Sequence, residues 1–256
     1  MAENFIKNKN EMLRKKRKKI KIRKFILIFI LLVSLFITLC LKLSYFNVSE
    51  IKVHNNKNLS VEEIIKLSNI NKGSNIFYLN TKESMTNILK NSYVLDVNIK
   101  RKLPSNIDIT VEERVAAFYA IKGNGFIIVG KDGVVLEEKQ KLNNIELIKL
   151  LGFNTMQATI GKKLPCNDLR KISVIGTITE IVNVSKSKLK ITSVDISDLL
   201  NIRVYYENMY VKLGTSEDLG KKLDKAITVL ELEQLKNAKG YIDVSVISKP
   251  VFCIEE

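Results

Sequence analysis

The 256-residue chain carries a formal charge of +15, a surplus that would suit a nucleic-acid binder if it were spread over a folded domain. It is concentrated instead: residues 1–24 hold eleven of the 42 Lys and Arg and two of the 27 acids, leaving 31 basic and 25 acidic residues from position 42 onward. No dense basic stripe with interleaved aromatics follows, which argues against nucleic acid as a partner, and three cysteines are too few for a disulfide scaffold.

Phe25 to Leu41 is an uncharged run of 17 residues. As a helix it spans roughly 26 Å, a little under a hydrocarbon core of about 30 Å. Lys42 can snorkel, so the crossing is completed by Leu43 to Phe46, with Tyr45 and Phe46 at the interface. The sequence Leu41-Lys42-Leu43-Ser44-Tyr45-Phe46 offers no small-residue cleavage site, so the anchor is expected to be retained. Arg14 to Lys19, with Lys21, Arg23 and Lys24, hold the N-terminus inside by the positive-inside rule. The expected layout is a basic cytoplasmic tail over 1–24, a transmembrane helix over 25–45, and an exported remainder.

The exported part is expected to be α+β. Phe46 to Val53 alternates loosely and ends at Asn55-Asn56, a strand and a turn. Ser60-Val-Glu-Glu63 has capping-box spacing, and Val61, Ile64, Ile65 and Leu67 form one apolar helix face. A second helix is expected over Thr81 to Asn91, capped by Asn80 or Thr81, with Met85, Ile88 and Leu89 inward. Two strands follow: Leu95, Val97 and Ile99 face in on one, and Ile107, Ile109 and Val111 on the other. This β-α-α-β-β module ends near Arg114. Further strands are expected at Phe118 to Ile121, Phe126 to Val129 and Val134 to Leu136, and one helical turn at Glu146 to Leu151. A helix over Asn167 to Val182 presents Leu169, Ile172, Ile175, Ile178 and Val182. Strands at Leu189 to Asp195, Ile202 to Tyr206 and Met209 to Leu213 precede a long helix from Ser216 to Lys239. That helix carries Leu219, Leu223, Ile227 and Leu230 in one stripe. Tyr241 to Ile247 is the expected final strand, with Tyr241, Asp243, Ser245 and Ile247 on one face and Ile242, Val244 and Val246 on the other.

Little in the chain suggests chemistry. His54 is the only histidine, so neither a two-His metal site nor a His-based triad can be assembled with confidence, and no Cys-x-x-Cys occurs. Ser-x-x-Lys occurs at Ser49/Lys52, Ser185/Lys188 and Ser187/Lys190, the count expected by chance in a lysine-rich chain. The partner motifs of acyl-enzyme chemistry are absent. Glu112-Glu113 and Glu137-Glu138 are adjacent pairs that extended backbone splays apart, and no glycine cluster has phosphate-loop spacing. Cys166 and Cys253 are the only cysteines outside the anchor, and their spacing says nothing about pairing. Binding is left. A final strand with nothing after it to pair is often a sheet edge whose free N–H and C=O groups accept a partner strand, although it can equally be internal.

Two sets of residues carry a family resemblance. Phe46-x-Val48-x-x-Ile51-x-Val53, Asn58-Leu59-Ser60-x-Glu62-Glu63-Ile64 and Gly73-x-Asn75-Ile76-Phe77 resemble a POTRA domain of the FtsQ/DivIB type. So does Val94-x-x-Val97-x-Ile99-x-Arg101-x-x-Pro104-x-x-Ile107-x-Ile109-x-Val111-x-Glu113-Arg114. Ile127 to Leu136, Val211-x-Leu213-Gly214, Lys221-Lys222-Leu223 and Gly240 to Val244 are similar to the later hairpin and the closing strand-helix-strand of that family. The chain departs at Ala116-Ala117, where a Pro is common, and at Ser92-Tyr93, in place of a frequent Pro-Trp. The resemblance implies a POTRA module over 46–114 and a C-terminal, mostly antiparallel β domain over 115–256. It also implies a non-enzymatic divisome scaffold without cofactors, on the outer face of the cytoplasmic membrane at the septum. Its implied partners are FtsB/DivIC-like and FtsL-like single-pass proteins. Carried over by position, the partner strand would meet Tyr241, Ile242, Asp243, Val244, Ser245, Val246 and Ile247, continuing through Val251 and Phe252, with Lys221 and Lys222 alongside. The readings it competes with are an exported cell-wall enzyme and a POTRA-bearing transport factor.

Overall fold

The computed structural model describes residues 2–142, 146–184, 190–231 and 238–255. Its contacts divide the chain into two compact units, one of residues 1–54, 61–85 and 98–110, the other of residues 55–60, 86–97 and 111–256. The division falls within the elements at residues 81–89, 94–102 and 106–113, each of which is described whole alongside the first unit.

The first unit opens on one helix, α1 (Ala2–Lys42), which takes in the basic tail as well as the apolar run. Its stretch Arg14–Lys42 is long and apolar enough to cross a membrane and none of it is buried by protein. A 3-10 turn, Ser44–Phe46, leads into strand β1 (Glu50–His54) and helix α2 (Val61–Ser68), whose Ile64 is fully buried. Helix α3 (Thr81–Leu89) starts where Asn80 accepts the Glu83 N–H, as the sequence suggested, but it stops two residues short of Asn91. Ile88 faces in, Met85 is half-buried, and Leu89 points out with 44% exposure, so Ser84 takes the inner position expected of Leu89. Strands β2 (Val94–Lys102) and β3 (Asn106–Glu113) complete a three-stranded sheet in the order β1-β3-β2, with β1 parallel to β3. Ile107, Ile109 and Val111 are buried as their alternation requires. On β2 the alternation breaks early, and Val94 rather than Leu95 is buried with Val97 and Ile99.

The second unit is built on a nine-stranded sheet, ordered β12-β11-β10-β9-β8-β7-β4-β5-β6. Its strands are β4 (Ala116–Lys122), β5 (Gly125–Gly130), β6 (Val135–Lys139), β7 (Ile148–Leu151), β8 (Ser193–Asp195), β9 (Ile202–Tyr206), β10 (Met209–Gly214), β11 (Lys239–Asp243) and β12 (Val251–Glu255). Pairing is mostly antiparallel, the exceptions being β4 with β7, β7 with β8, and β10 with β11. Helices α4 (Arg170–Val184) and α5 (Leu219–Leu230) pack with one sheet face into a single core, which includes Phe118, Ile175, Ile178, Val204, Val211, Leu223 and Ile242. Each such fully buried aliphatic or aromatic side chain contributes about 1.5–3 kcal/mol.

Three sequence expectations change here. Residues 148–151 form a strand, not a helical turn, because the short segment pairs in parallel with both β4 and β8. Leu169 precedes α4 and is 77% exposed, and its place on the inner face goes to Val174 beside Ile175 and Ile178. The long helix begins at Leu219 rather than Ser216, and the expected continuation over 232–237 lies outside the described residues, as do Leu189, Ser185, Ser187 and Lys188.

Candidate partner-binding site

The expected final strand, Tyr241 to Ile247, is not the edge of the sheet. β11 ends at Asp243 and is an inner strand, parallel to β10 on one side and antiparallel to β12 on the other. Asp243 itself ends it: its carboxylate accepts the Ser245 N–H at 3.0 Å and the Ser245 hydroxyl at 2.6 Å, which turns the chain out of the sheet. A turn closed by the Lys249 N–H on the Val246 carbonyl reverses direction, and the chain returns after Pro250 as β12. Ser245, Val246 and Ile247 therefore lie in a turn, with Val246 58% exposed, while Ile242 and Val244 are buried in the core.

β12 is the terminal strand of the sheet, and no described strand pairs with its outer edge. Its register on β11 sets Val251 against Asp243, Phe252 against Ile242, Cys253 against Tyr241 and Ile254 against Gly240. Cross-strand partners share a face, so Phe252 and Ile254 lie on the helix side of the sheet and Cys253 on the other. Phe252 and Ile254 remain 47% and 45% exposed, unlike Ile242 beside them. The edge thus offers free backbone groups together with apolar side chains, the combination that strand addition uses. Val251 and Phe252, expected as a continuation of the binding strand, belong to this edge.

The face opposite the helices carries a tyrosine row. Tyr205, Tyr210 and Tyr241 are cross-strand neighbours, with ring centroids 5.7 and 5.5 Å apart, and the Lys212 ammonium sits 3.8 Å from the Tyr241 centroid. The rings spend their faces on each other and on the lysine, stiffening β9 to β11 beneath the edge strand. Gly240 fixes how closely β12 approaches. Its φ is +142°, and a Cβ there would lie 2.0 Å from the Cys253 carbonyl oxygen.

The two lysines expected beside the strand separate. Lys221 is exposed and pairs with Asp218 at 2.9 Å. Lys222 is 5% exposed because it falls on the buried stripe of α5, where its ammonium donates to the Thr215 carbonyl at 3.0 Å, so it offers no surface contact. The other sequence candidates scatter. Ser49 hydrogen-bonds with Ser105 and Asn106 while Lys52 pairs with Glu50, so that Ser and Lys do not meet. Lys190 pairs with Glu146, and His54 is an exposed strand end. All three cysteines are free thiols. Among the described residues no group of three or more His, Cys, Asp or Glu could hold a metal. A shallow cleft beside α4 is lined by Arg170, Ser173, Val174, Thr177, Ser216 and Leu219, and its guanidinium is engaged by Asp168.

The profile described as POTRA domain, FtsQ-type, matches residues 46–114, and that of cell division protein FtsQ/DivIB, C-terminal, matches residues 117–245. The cell division protein DivIB of Clostridium botulinum (strain Hall) is 40% identical over 248 residues, covering 96% of this chain and 97% of its own length. The DivIB of Clostridium acetobutylicum is 41% identical over 224 residues, covering 88% and 89%. The DivIB of Bacillus subtilis (strain 168) is 34% identical over 124 residues, covering 48% and 46%. With two domain profiles in order along a chain that aligns nearly end to end with DivIB proteins, the chain belongs to the FtsQ/DivIB family of cell division proteins.

Proposed function

We propose that the chain is a non-enzymatic scaffold of the septum, anchored by α1 with its N-terminus in the cytoplasm and the rest outside. It would hold FtsB/DivIC-like and FtsL-like single-pass partners by accepting a partner strand on β12. Family membership supports the division role. The observation that carries the binding reading is the edge itself, an apolar, half-exposed strand whose outer side pairs with no described strand.

Along an edge strand successive N–H groups alternate between the neighbouring strand and the open side. Of Phe252→Pro and Cys253→Pro, one removes an outward-facing donor and leaves the β11 pairing intact. That variant is expected to keep a folded chain and lose co-purification with the DivIC-like partner. If both variants fold and both bind as the unmodified chain does, the partner docks elsewhere. The septal reading is tested by a fluorescent fusion in dividing cells, where uniform membrane signal would sink it.

A further inference from the structure

Within the first unit α1 runs on toward β1 without a free linker. Beyond Lys42 the chain runs beside the connection between α2 and α3: the Ile76 N–H bonds the Phe46 carbonyl at 2.9 Å, Val48 bonds Ser74 at 2.8 Å, and Gly73 bonds Val48 at 2.8 Å. Asn75, 9% exposed, then closes the helix. Its side-chain amide donates to the Cys40 and Leu41 carbonyls at 3.0 and 3.2 Å, while its oxygen accepts the Phe77 N–H at 2.9 Å. Two of the carbonyls that every helix end leaves unpaired are thus satisfied by the folded module. Arg101 braces the same connection by donating to the Ile76 and Leu79 carbonyls. The direction of the helix and the direction of the module are therefore set together.

That junction surrounds the end of the apolar helix with exposed aromatic and aliphatic side chains. Tyr45 and Phe46 meet at 5.2 Å and Phe46 and Phe77 at 5.3 Å between ring centroids. Tyr45, Phe77, Tyr78 and Leu103 are 66%, 40%, 68% and 62% exposed. Leu103 lies in the β2–β3 turn, two residues before Ser105, whose carbonyl accepts the Ser49 N–H at the start of β1, so the turn is at the same end of the sheet as α1. Lys42, Lys72 and Lys102 are exposed on the same junction and turns.

We propose that this face is a second membrane contact: Phe77, Tyr78 and Leu103 enter the headgroup region of the bilayer that α1 spans, and the three lysines meet lipid phosphates. Aromatic rings and long cationic side chains favour that depth, where an apolar body and a polar tip are both satisfied. The surface is continuous with the spanning helix through the Phe46–Phe77 contact, which makes lipid the occupant rather than a protein. The consequence is a module that stands on the membrane at a fixed attitude. The inference rests on α1 crossing the bilayer, and its test separates the two.

The full chain, with Cys40, Cys166 and Cys253 replaced by Ser, is reconstituted into vesicles of phosphatidylethanolamine and phosphatidylglycerol carrying doxyl-labelled lipid. A polarity-sensitive fluorophore is placed singly through Leu35→Cys, His54→Cys, Tyr78→Cys or Leu103→Cys. Quenching by shallow doxyl is expected at 78 and 103, by deep doxyl at 35, and by neither at 54. Quenching at 35 with 78 and 103 as aqueous as 54 overturns the second contact and leaves the anchor standing. No quenching at 35 overturns the anchor and this inference with it. Protection at 78 and 103 that needs an added DivIC-like partner assigns the face to protein and also overturns it. Asn75→Ala should weaken quenching at 78 and 103 while leaving 35 unchanged.

Discussion

Glu113 closes a small anion cradle in the second unit. Its carboxylate accepts the backbone N–H groups of Lys57, Asn58 and Leu59 at 2.8, 2.7 and 3.2 Å. Burial opposes ionisation of this carboxyl, but the three N–H donors outweigh it and hold its pKa below the usual carboxylate range. A carboxyl whose folded pKa is depressed adds stability above its unfolded value and loses it as pH falls through the folded one. Glu113→Gln is therefore expected to lower stability near neutral pH by about 1 kcal/mol, kept small by the exposure of the group. The gap to the unmodified chain should close on acidification below the ordinary carboxylate range. Thermal unfolding of the detergent-solubilised chains as a function of pH measures both. A gap that persists unchanged into strong acid would show that the charge contributes nothing. At this scale the sequence is informative where a residue acts through its own period: Ile107, Ile109 and Val111 read correctly as an inner face. It is silent where the partner is remote. Asn75 caps a helix end 35 residues earlier in the chain, and nothing in its neighbours announces that. Lys222, set alongside the partner strand by the resemblance, is instead buried beside Leu219 and Leu223 on α5, with its ammonium on the Thr215 carbonyl.

The edge strand depends on its neighbour. At Gly240 an added Cβ meets backbone, not a flexible side chain, and the φ of +142° is strained for any L-residue with a side chain. Gly240→Ala should push β12 off β11 and leave β9 and β10 paired. Hydrogen exchange is expected to show faster exchange across Val251–Glu255 with unchanged protection in β9 and β10, accompanied by loss of partner binding. A variant whose β12 stays protected would mean that β11 absorbs the change by shifting. Elements with a clean period were legible, β9 and β10 nearly to the residue. β7 was not, since four residues are too few to show a period, and Ile148–Leu151 became a strand only through pairing with β4 and β8. The expected final strand ends early for a different reason. Alternation does continue past Asp243 through Val244 and Val246, but a local side-chain turn at Ser245 competes with the sheet and wins.

For the whole molecule, the order of anchor, POTRA module and β domain could be read from the sequence and its resemblance, because both follow chain order. The compact units do not follow it. Residues 55–60, 86–97 and 111–114 cluster with the later strands, through contacts such as Tyr93 with Glu137 and Arg114 with Asp132, while Glu113 ties Lys57 to that group. Those join positions that no periodicity links.

Orientation across the membrane is a property of charge at the two ends of α1. One flank holds nine basic residues between Arg14 and Lys24 with no acid among them, and the other holds Lys42, Lys52 and Lys57 over a comparable length. Positive residues near a span resist transfer across the membrane, so this imbalance is the basis for the proposed placement of the N-terminus in the cytoplasm. Replacing Arg14 to Lys19 by Gln leaves Lys7, Lys9, Lys21, Arg23 and Lys24 against the three lysines beyond, which sharply reduces the bias. A mixed population is expected. Cys253 is an exposed native reporter of the distal side, and with Cys40 and Cys166 replaced by Ser a membrane-impermeant maleimide reads it in intact cells. The unmodified flank should give labelling without lysis, and the neutralised flank should give clearly less until the cells are opened. A chain with its native flank that labels at Cys253 only after lysis would place the β domain inside the cell, and the proposed partners on the outer face would then be out of its reach.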